Sequence, residues 1–199
     1  MKRFLLAVFV ISFIVASLVT YNVMGTRYTY WEGETGLEML HQVQADLSGM
    51  HKGQKLVVTI ISPGGPIITS LEIARLVRAA SDRGVIVEIH ASALCASGCT
   101  IVLSAGTPGH RVITKQTLFL VHPPQQGSGF GPPKCVDRIE SPKDVDERVS
   151  NVFYDSLVNA YVQYTDKDKT TILELLKCGN EQVGFGVLAV QLGVADRME

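Results

Sequence analysis

Three groups between Ser62 and His122 could together carry out acyl transfer. Ser62-Pro63-Gly64-Gly65 is a glycine turn whose backbone N–H groups can donate to a substrate. Ser97 lies among small residues in Ala96-Ser97-Gly98-Cys99-Thr100. His122 ends the apolar run Leu118–Val121 and precedes Pro123-Pro124. A serine hydroxyl is a weak nucleophile until a base takes its proton, and histidine titrates nearest neutral pH. Glycine amides beside the pair can stabilise the negative charge on a carbonyl oxygen under attack. The pattern reads as a nucleophile (Ser97), a base (His122) and a glycine turn able to supply oxyanion donors.

Each residue also has an ordinary use. Serine is a favoured helix N-cap, and a histidine at a strand end needs no function. The order of the set favours chemistry. A helix starting at Ala96 or Ser97 would leave the Gly98 N–H without an intrahelical acceptor and set the helix dipole against developing negative charge.

The surrounding pattern predicts the elements that hold these groups. Leu56–Ile61 (LVVTII) is a β-branched apolar run, which predicts a strand buried on both faces. The SPGG turn ends it. Leu71, Ala74, Val77 and Ala80 recur at helical spacing over 69–80, and Val85–Ile89 follows as a strand. Strand, helix, strand is a βαβ unit, so the sheet is expected to be parallel with right-handed crossovers. Further strands are expected at 112–113 and 118–121, and helices at 34–50, 145–164, 168–176 and the closing 187–195. Residues 25–33, with Tyr28, Tyr30 and Trp31, read equally as a first strand or a segment beside a membrane. Residues 123–143 are rich in Pro, Gly and Gln, as in a lid or binding loop.

Composition narrows the class. Of 199 residues, 46% are hydrophobic, enough for one domain with a full core. The net charge of −1 comes with no basic run, so nucleic acid is not expected as a partner. Lys2 and Arg3 precede an uncharged stretch from Phe4 to Met24. At about 1.5 Å per residue, some 20 residues span a bilayer. Residues 1–25 read as a signal anchor or signal peptide, residues 26–199 as the catalytic domain. The leading positive charges place that domain outside the cytoplasm, on the periplasmic side, membrane-anchored or secreted if cleaved. An oxidising location allows disulfides among Cys95, Cys99, Cys135 and Cys178, in any of three pairings. The C-x3-C spacing lacks a second ligand pair, so no metal site is expected.

SPGG after an apolar strand, the ASGCTIVLSAG segment, RVITKQTLFLVHPP and the closing AVQLGVAD together resemble the proteolytic subunit of Clp protease and its relatives in the crotonase-like fold. The resemblance covers residues 55–196. It implies an α/β Clp/crotonase-like superhelical fold of βαβ units with a parallel sheet, here preceded by a transmembrane helix. It implies a serine endopeptidase acting through an acyl-enzyme on Ser97 with His122 as base and the Gly65 and Gly98 N–H groups as oxyanion donors, on peptide or protein substrates, without cofactor. Homo-oligomers through the long helix are also implied. The family's orienting acid has no clear match: the positions reached by counting are Thr171 and Lys177, and the acids at hand are Glu174, Asp168 and Asp166. Membrane-associated relatives, similar to signal peptide peptidase, pair serine with lysine, which makes Lys134, Lys143 and Lys177 rival bases. A lysine must lose its water to act near neutral pH, and His122 is the better base. The alternative is a catalytically weak or inactive peptide-binding protein of the same fold. Acyl-CoA chemistry is disfavoured, since no acidic catalytic pair is evident in the middle of the chain.

Overall fold

The computed structural model describes residues 25–127 and 133–199. The segment read as an anchor, 1–24, lies outside them. Among the described residues, no helix is long and apolar enough to cross a membrane.

The domain is α/β, built on a seven-stranded, mostly parallel sheet. β1 (Thr26–Glu32), β2 (Lys55–Ser62), β3 (Ile86–Ala96) and β4 (Arg111–Ile113) run parallel in that order, and β9 (Arg197–Met198) extends the β4 edge. β5 (Leu118–Val121) also pairs with β3, in parallel, and carries the antiparallel β8 (Gln182–Gly184). The helices are α1 (Leu37–Leu47), α2 (Ile67–Asp82), α3 (Gly98–Ser104), α4 (Val145–Tyr164), α5 (Lys169–Leu175) and α6 (Gly186–Gln191).

β1 settles the 25–33 segment as a strand. Trp31 is fully buried, while Tyr28 and Tyr30 point outward. The Trp31 indole N–H and the Thr29 hydroxyl both donate to Asp46 of α1, each at 2.9 Å, so one carboxylate fastens the first helix to the first strand. β2 corrects the expectation of burial on both faces. Leu56, Val58, Ile60 and Ser62 are buried, whereas the alternate positions are half-buried. The apolar run hid a two-residue period because Val57 and Ile61 are apolar on the half-open face as well.

β3 is the strand that builds the site. It is longer than the pattern at 85–89 suggested, and it changes partner midway. Ile89–Ala91 pair with β4, and Leu94–Ala96 pair with β5. Between them, Ala93 takes a positive φ of 58°. That kink swings the end of β3 onto a new neighbour, as local irregularities in strands do. All seven residues of α3 are buried behind it.

α4 matches its expected range, and the Asp144 carboxylate caps it by accepting from Glu147 N–H. Its buried Tyr154, Leu157, Val158 and Tyr161 join the core, where α4 packs on α2, α3 and α5. The Pro/Gly-rich stretch contains a small hairpin, β6 (Gln125–Gln126) with β7 (Lys134–Cys135), that the composition did not reveal. Two-residue strands such as β6 and β9 carry no readable period. Arg111 ties the end of the chain to the core. Its guanidinium donates to Asp196 and, through Nη1, to the Tyr164 carbonyl at 2.6 Å. Burial alone would push the Asp196 carboxyl up; the Arg111 hydrogen bonds outweigh it and hold the carboxyl below its ordinary range.

Candidate active site

Ser97 stands where β3 turns into α3. Its backbone has φ 53° and ψ −124°, a conformation L-residues rarely adopt. It occupies the N-cap position, yet its side chain makes no capping hydrogen bond. The capping role that its type suggested is therefore not filled, and the half-buried hydroxyl faces a cleft of about 1100 Å³.

The glycine turn is pressed against this corner. Gly64 has a φ of 92°, and a Cβ there would lie 2.5 Å from the Ser97 Cβ and 2.6 Å from the Ala96 carbonyl oxygen. Gly64 is thus glycine because Ser97 fills the space, not to admit substrate. Its N–H donates to Ser62 Oγ at 3.0 Å and its carbonyl accepts from Thr35 N–H at 2.9 Å. The next amide, Gly65 N–H, donates to nothing among the described residues, and Gly65 lines the cleft. Gly98 is the first residue of α3, so its N–H has no carbonyl a turn earlier to bond. It lines the cleft too.

Thr35 and Ser70 form a buried pair behind these glycines. Ser70 donates to the Pro66 carbonyl at 2.9 Å, and the Thr35 hydroxyl bonds Ser70 at 2.6 Å. A Cβ on Gly98 would fall 2.1 Å from Ser70 Oγ and 2.8 Å from Thr35 Oγ1. The two hydroxyls therefore set the distance between the SPGG turn and the start of α3. No local pattern marks them, because they lie far apart in the chain and are polar residues in a buried place.

His122 follows β5 and lines the same cleft, half-buried. The Ser97 N–H donates to the Leu120 carbonyl, which brings β5 beside the serine corner. The His122 Nδ1 lies 2.6 Å from the Pro123 carbonyl oxygen. A carbonyl only accepts, so Nδ1 carries the hydrogen and the lone pair sits on Nε2. The ring's hydrogen bond is this one to Pro123, and none joins it to Ser97 Oγ.

Thr100, one turn into α3, donates to the Ser97 carbonyl at 2.6 Å and bonds the Tyr161 hydroxyl. Burial pushes the Tyr161 phenol up to about 12 against a small opposing effect of Thr100, so Tyr161 lines the cleft as a neutral hydroxyl. Ile67, Ile101, Phe153 and Leu157 supply apolar wall, and Glu34 and Asp146 are the acids on the rim.

The sequence profile of the Clp protease family matches residues 19–177. The chain belongs to the Clp protease family. The match starts earlier than the motifs alone suggested, inside the apolar segment, and stops before α6. Among solved structures, this Clp-family chain is similar to a peptidase from Plasmodium falciparum: 13% identity, TM-score 0.66, covering 92% of this chain and 98% of the other. At that identity the likeness speaks for the fold alone. No curated protein sequence matches.

The candidate acids of this Clp-family chain lie elsewhere. Asp168 caps α5 through Thr171, and Glu174 is exposed beside Lys177 at 3.9 Å. Neither they nor Asp166 line the cleft, and neither do Lys134, Lys143 or Lys177. The disulfides are Cys95–Cys99 and Cys135–Cys178. Cys99 thus braces the serine corner to its own strand end, not to another loop. Among the described residues, no His, Cys, Asp and Glu group is arranged to hold a metal ion.

Proposed function

We propose that this chain is a serine endopeptidase that hydrolyses peptide bonds through an acyl-enzyme on Ser97. The observation that carries the reading is the uncapped Ser97 hydroxyl at a positive-φ strand-to-helix corner, on one cleft with His122. Strained backbone at a buried corner persists where surrounding structure enforces it, and such corners cluster at active sites.

In this reading an extended peptide lies in the cleft with its scissile carbonyl over Ser97. His122 Nε2 accepts the hydroxyl proton as Oγ attacks. The oxyanion takes hydrogen bonds from Gly65 N–H and Gly98 N–H, a contribution worth about 10²–10³ in rate per donor. Nε2 then gives its proton to the departing amine. Water repeats the sequence and frees Ser97. The Pro123 carbonyl does the orienting task of the family's acid, fixing the tautomer that leaves Nε2 basic. A neutral carbonyl stabilises the passing imidazolium less than a carboxylate would, so turnover is slow for the class.

The lack of a carboxylate at Nδ1 also motivates the second reading, a peptide-binding protein with little or no turnover. A fluorophosphonate probe on the purified domain separates the two. Labelling of wild type that disappears in Ser97→Ala supports the peptidase. An unlabelled wild type that still binds peptide supports the binding protein.

The same proposal places the domain outside the cytoplasm, tethered by residues 1–25 or released by cleavage there. The two disulfides support an oxidising location. Recovery of the full-length chain in the soluble cytosolic fraction would overturn it. Assembly into a homo-oligomer through α4 is supported by the exposed Val145 and Val152 on that helix, and sedimentation of the purified domain tests it.

A further inference from the structure

We propose that the Cys95–Cys99 disulfide is a positioning element that holds the Ser97 backbone in its reactive conformation; the word reactive rests on the acyl-enzyme reading above. The bond closes the short ring Cys95-Ala96-Ser97-Gly98-Cys99, and Ser97 is its middle residue. Cys95 is the last but one residue of β3, and Cys99 is the second of α3. Both are fully buried. The bond therefore fastens the strand end to the first helical turn, across the residue where one becomes the other.

That residue needs holding. Ser97 sits at φ 53° without a side-chain hydrogen bond to offset the cost. Its carbonyl is fixed by Thr100 N–H at 2.9 Å and by the Thr100 hydroxyl, and its N–H by Leu120. These bonds orient the peptide planes on either side. An ordinary relaxation to negative φ would swing Gly98 N–H and the serine side chain away from the cleft. A covalent tie from 95 to 99 removes the freedom that this relaxation requires.

Its contribution to global stability points the same way. Disulfides stabilise chiefly by shortening loops in the unfolded chain, and the effect grows with loop length. Cys135–Cys178 closes a separation of 43 residues, and Cys95–Cys99 only 4. The small ring offers the least in that respect and the most in local geometry.

The test uses the full chain carrying Cys95→Ala/Cys99→Ala, with Cys135→Ala/Cys178→Ala as control. Two readouts are taken: amide hydrogen exchange at residues 97–100, and the saturating rate and half-saturation concentration of fluorophosphonate labelling. For the 95/99 variant, exchange at 98–100 is expected to rise about tenfold while β2 and the first half of β3 stay protected. The saturating labelling rate should fall about 100-fold with half-saturation little changed, as for a misplaced nucleophile in an intact cleft. The control should change neither in its folded fraction. Unchanged exchange at 98–100 overturns the proposal, whatever the labelling shows. A wild type that takes no label sinks the acyl-enzyme reading, while exchange still decides the backbone claim. If the alanine variant does not fold, Cys95→Val/Cys99→Ala restores volume without the bond. Failure of both to fold overturns the proposal, since the bond would then be holding the domain and not one residue.

Discussion

The Ser97 N–H donates to the Leu120 carbonyl oxygen at 2.8 Å. This bond continues the β3–β5 ladder, in which Ala96 pairs with Leu120. It puts the candidate nucleophile beside a strand whose next residues are Val121 and His122. Two side chains far apart in order thus come to one cleft through sheet register, with no loop needed to carry either one.

His122→Ala should reduce fluorophosphonate labelling about 10²–10⁴-fold, the usual range for a lost general base. Melting temperature should hardly move, since the ring is half-buried and bonded only to its neighbour's carbonyl. Labelling within threefold of wild type would assign the base elsewhere.

Glu174→Gln, Asp168→Asn and Asp166→Asn should each leave labelling within about twofold, because none of these carboxylates lines the cleft. A loss of tenfold or more in any one would reinstate a carboxylate as the partner of His122.

Gly64→Ala should cost both fold and activity. The new methyl meets Ser97 Cβ at 2.5 Å and sits on a residue with φ 92°. Overpacking and the positive φ together cost about 2–4 kcal/mol. Gly98→Ala collides instead with Ser70 Oγ at 2.1 Å and Thr35 Oγ1 at 2.8 Å. Ser70→Ala should therefore rescue part of the Gly98→Ala loss and none of the Gly64→Ala loss. A double-mutant cycle by chemical denaturation measures this coupling.

Acid should weaken the domain through Glu88. Burial raises this carboxyl, but hydrogen bonds from His110, His90 and Lys55 outweigh it and bring it down to about 2 from an ordinary 4.5. A depressed folded-state value means stability that is full above about pH 4.5 and lost as the pH falls toward 2. The contribution is on the order of 3 kcal/mol. Glu88→Gln should flatten the stability profile between those limits; an unchanged slope would refute the assignment.

Removing Cys135–Cys178 should cost about 4 kcal/mol by loop closure, against roughly 2 for Cys95–Cys99. Denaturant midpoints of the two double-alanine variants give the comparison. The reverse ranking would mean that the small ring carries the fold.

Much of this was legible in the sequence. α4 was readable because 20 residues of helical period leave little room for another solution, and Asp144 marks its start. The parallel sheet followed from a strand, helix, strand order. Ser97, His122, Gly65 and Gly98 all reach one cleft because the motif order encodes the βαβ winding. The rest was hidden for stated reasons. A backbone carbonyl such as that of Pro123, which His122 meets, has no sequence signature, and Glu174, Asp168 and Asp166 lie away from the cleft. Thr35 and Ser70 meet only after folding. The length of β3 was concealed by its kink at Ala93, which breaks the alternation where the strand changes neighbours.

That change of neighbours also sets the order in which a newly made chain can complete the serine corner. Every atom of the serine corner is present once residue 99 has been joined, yet its docking strand arrives only with residues 118–121. Fragments ending between those points carry the hydroxyl without the frame that aims it. The corner is thus framed only when the chain has passed residue 121, and no shorter fragment holds Ser97 as the folded domain does.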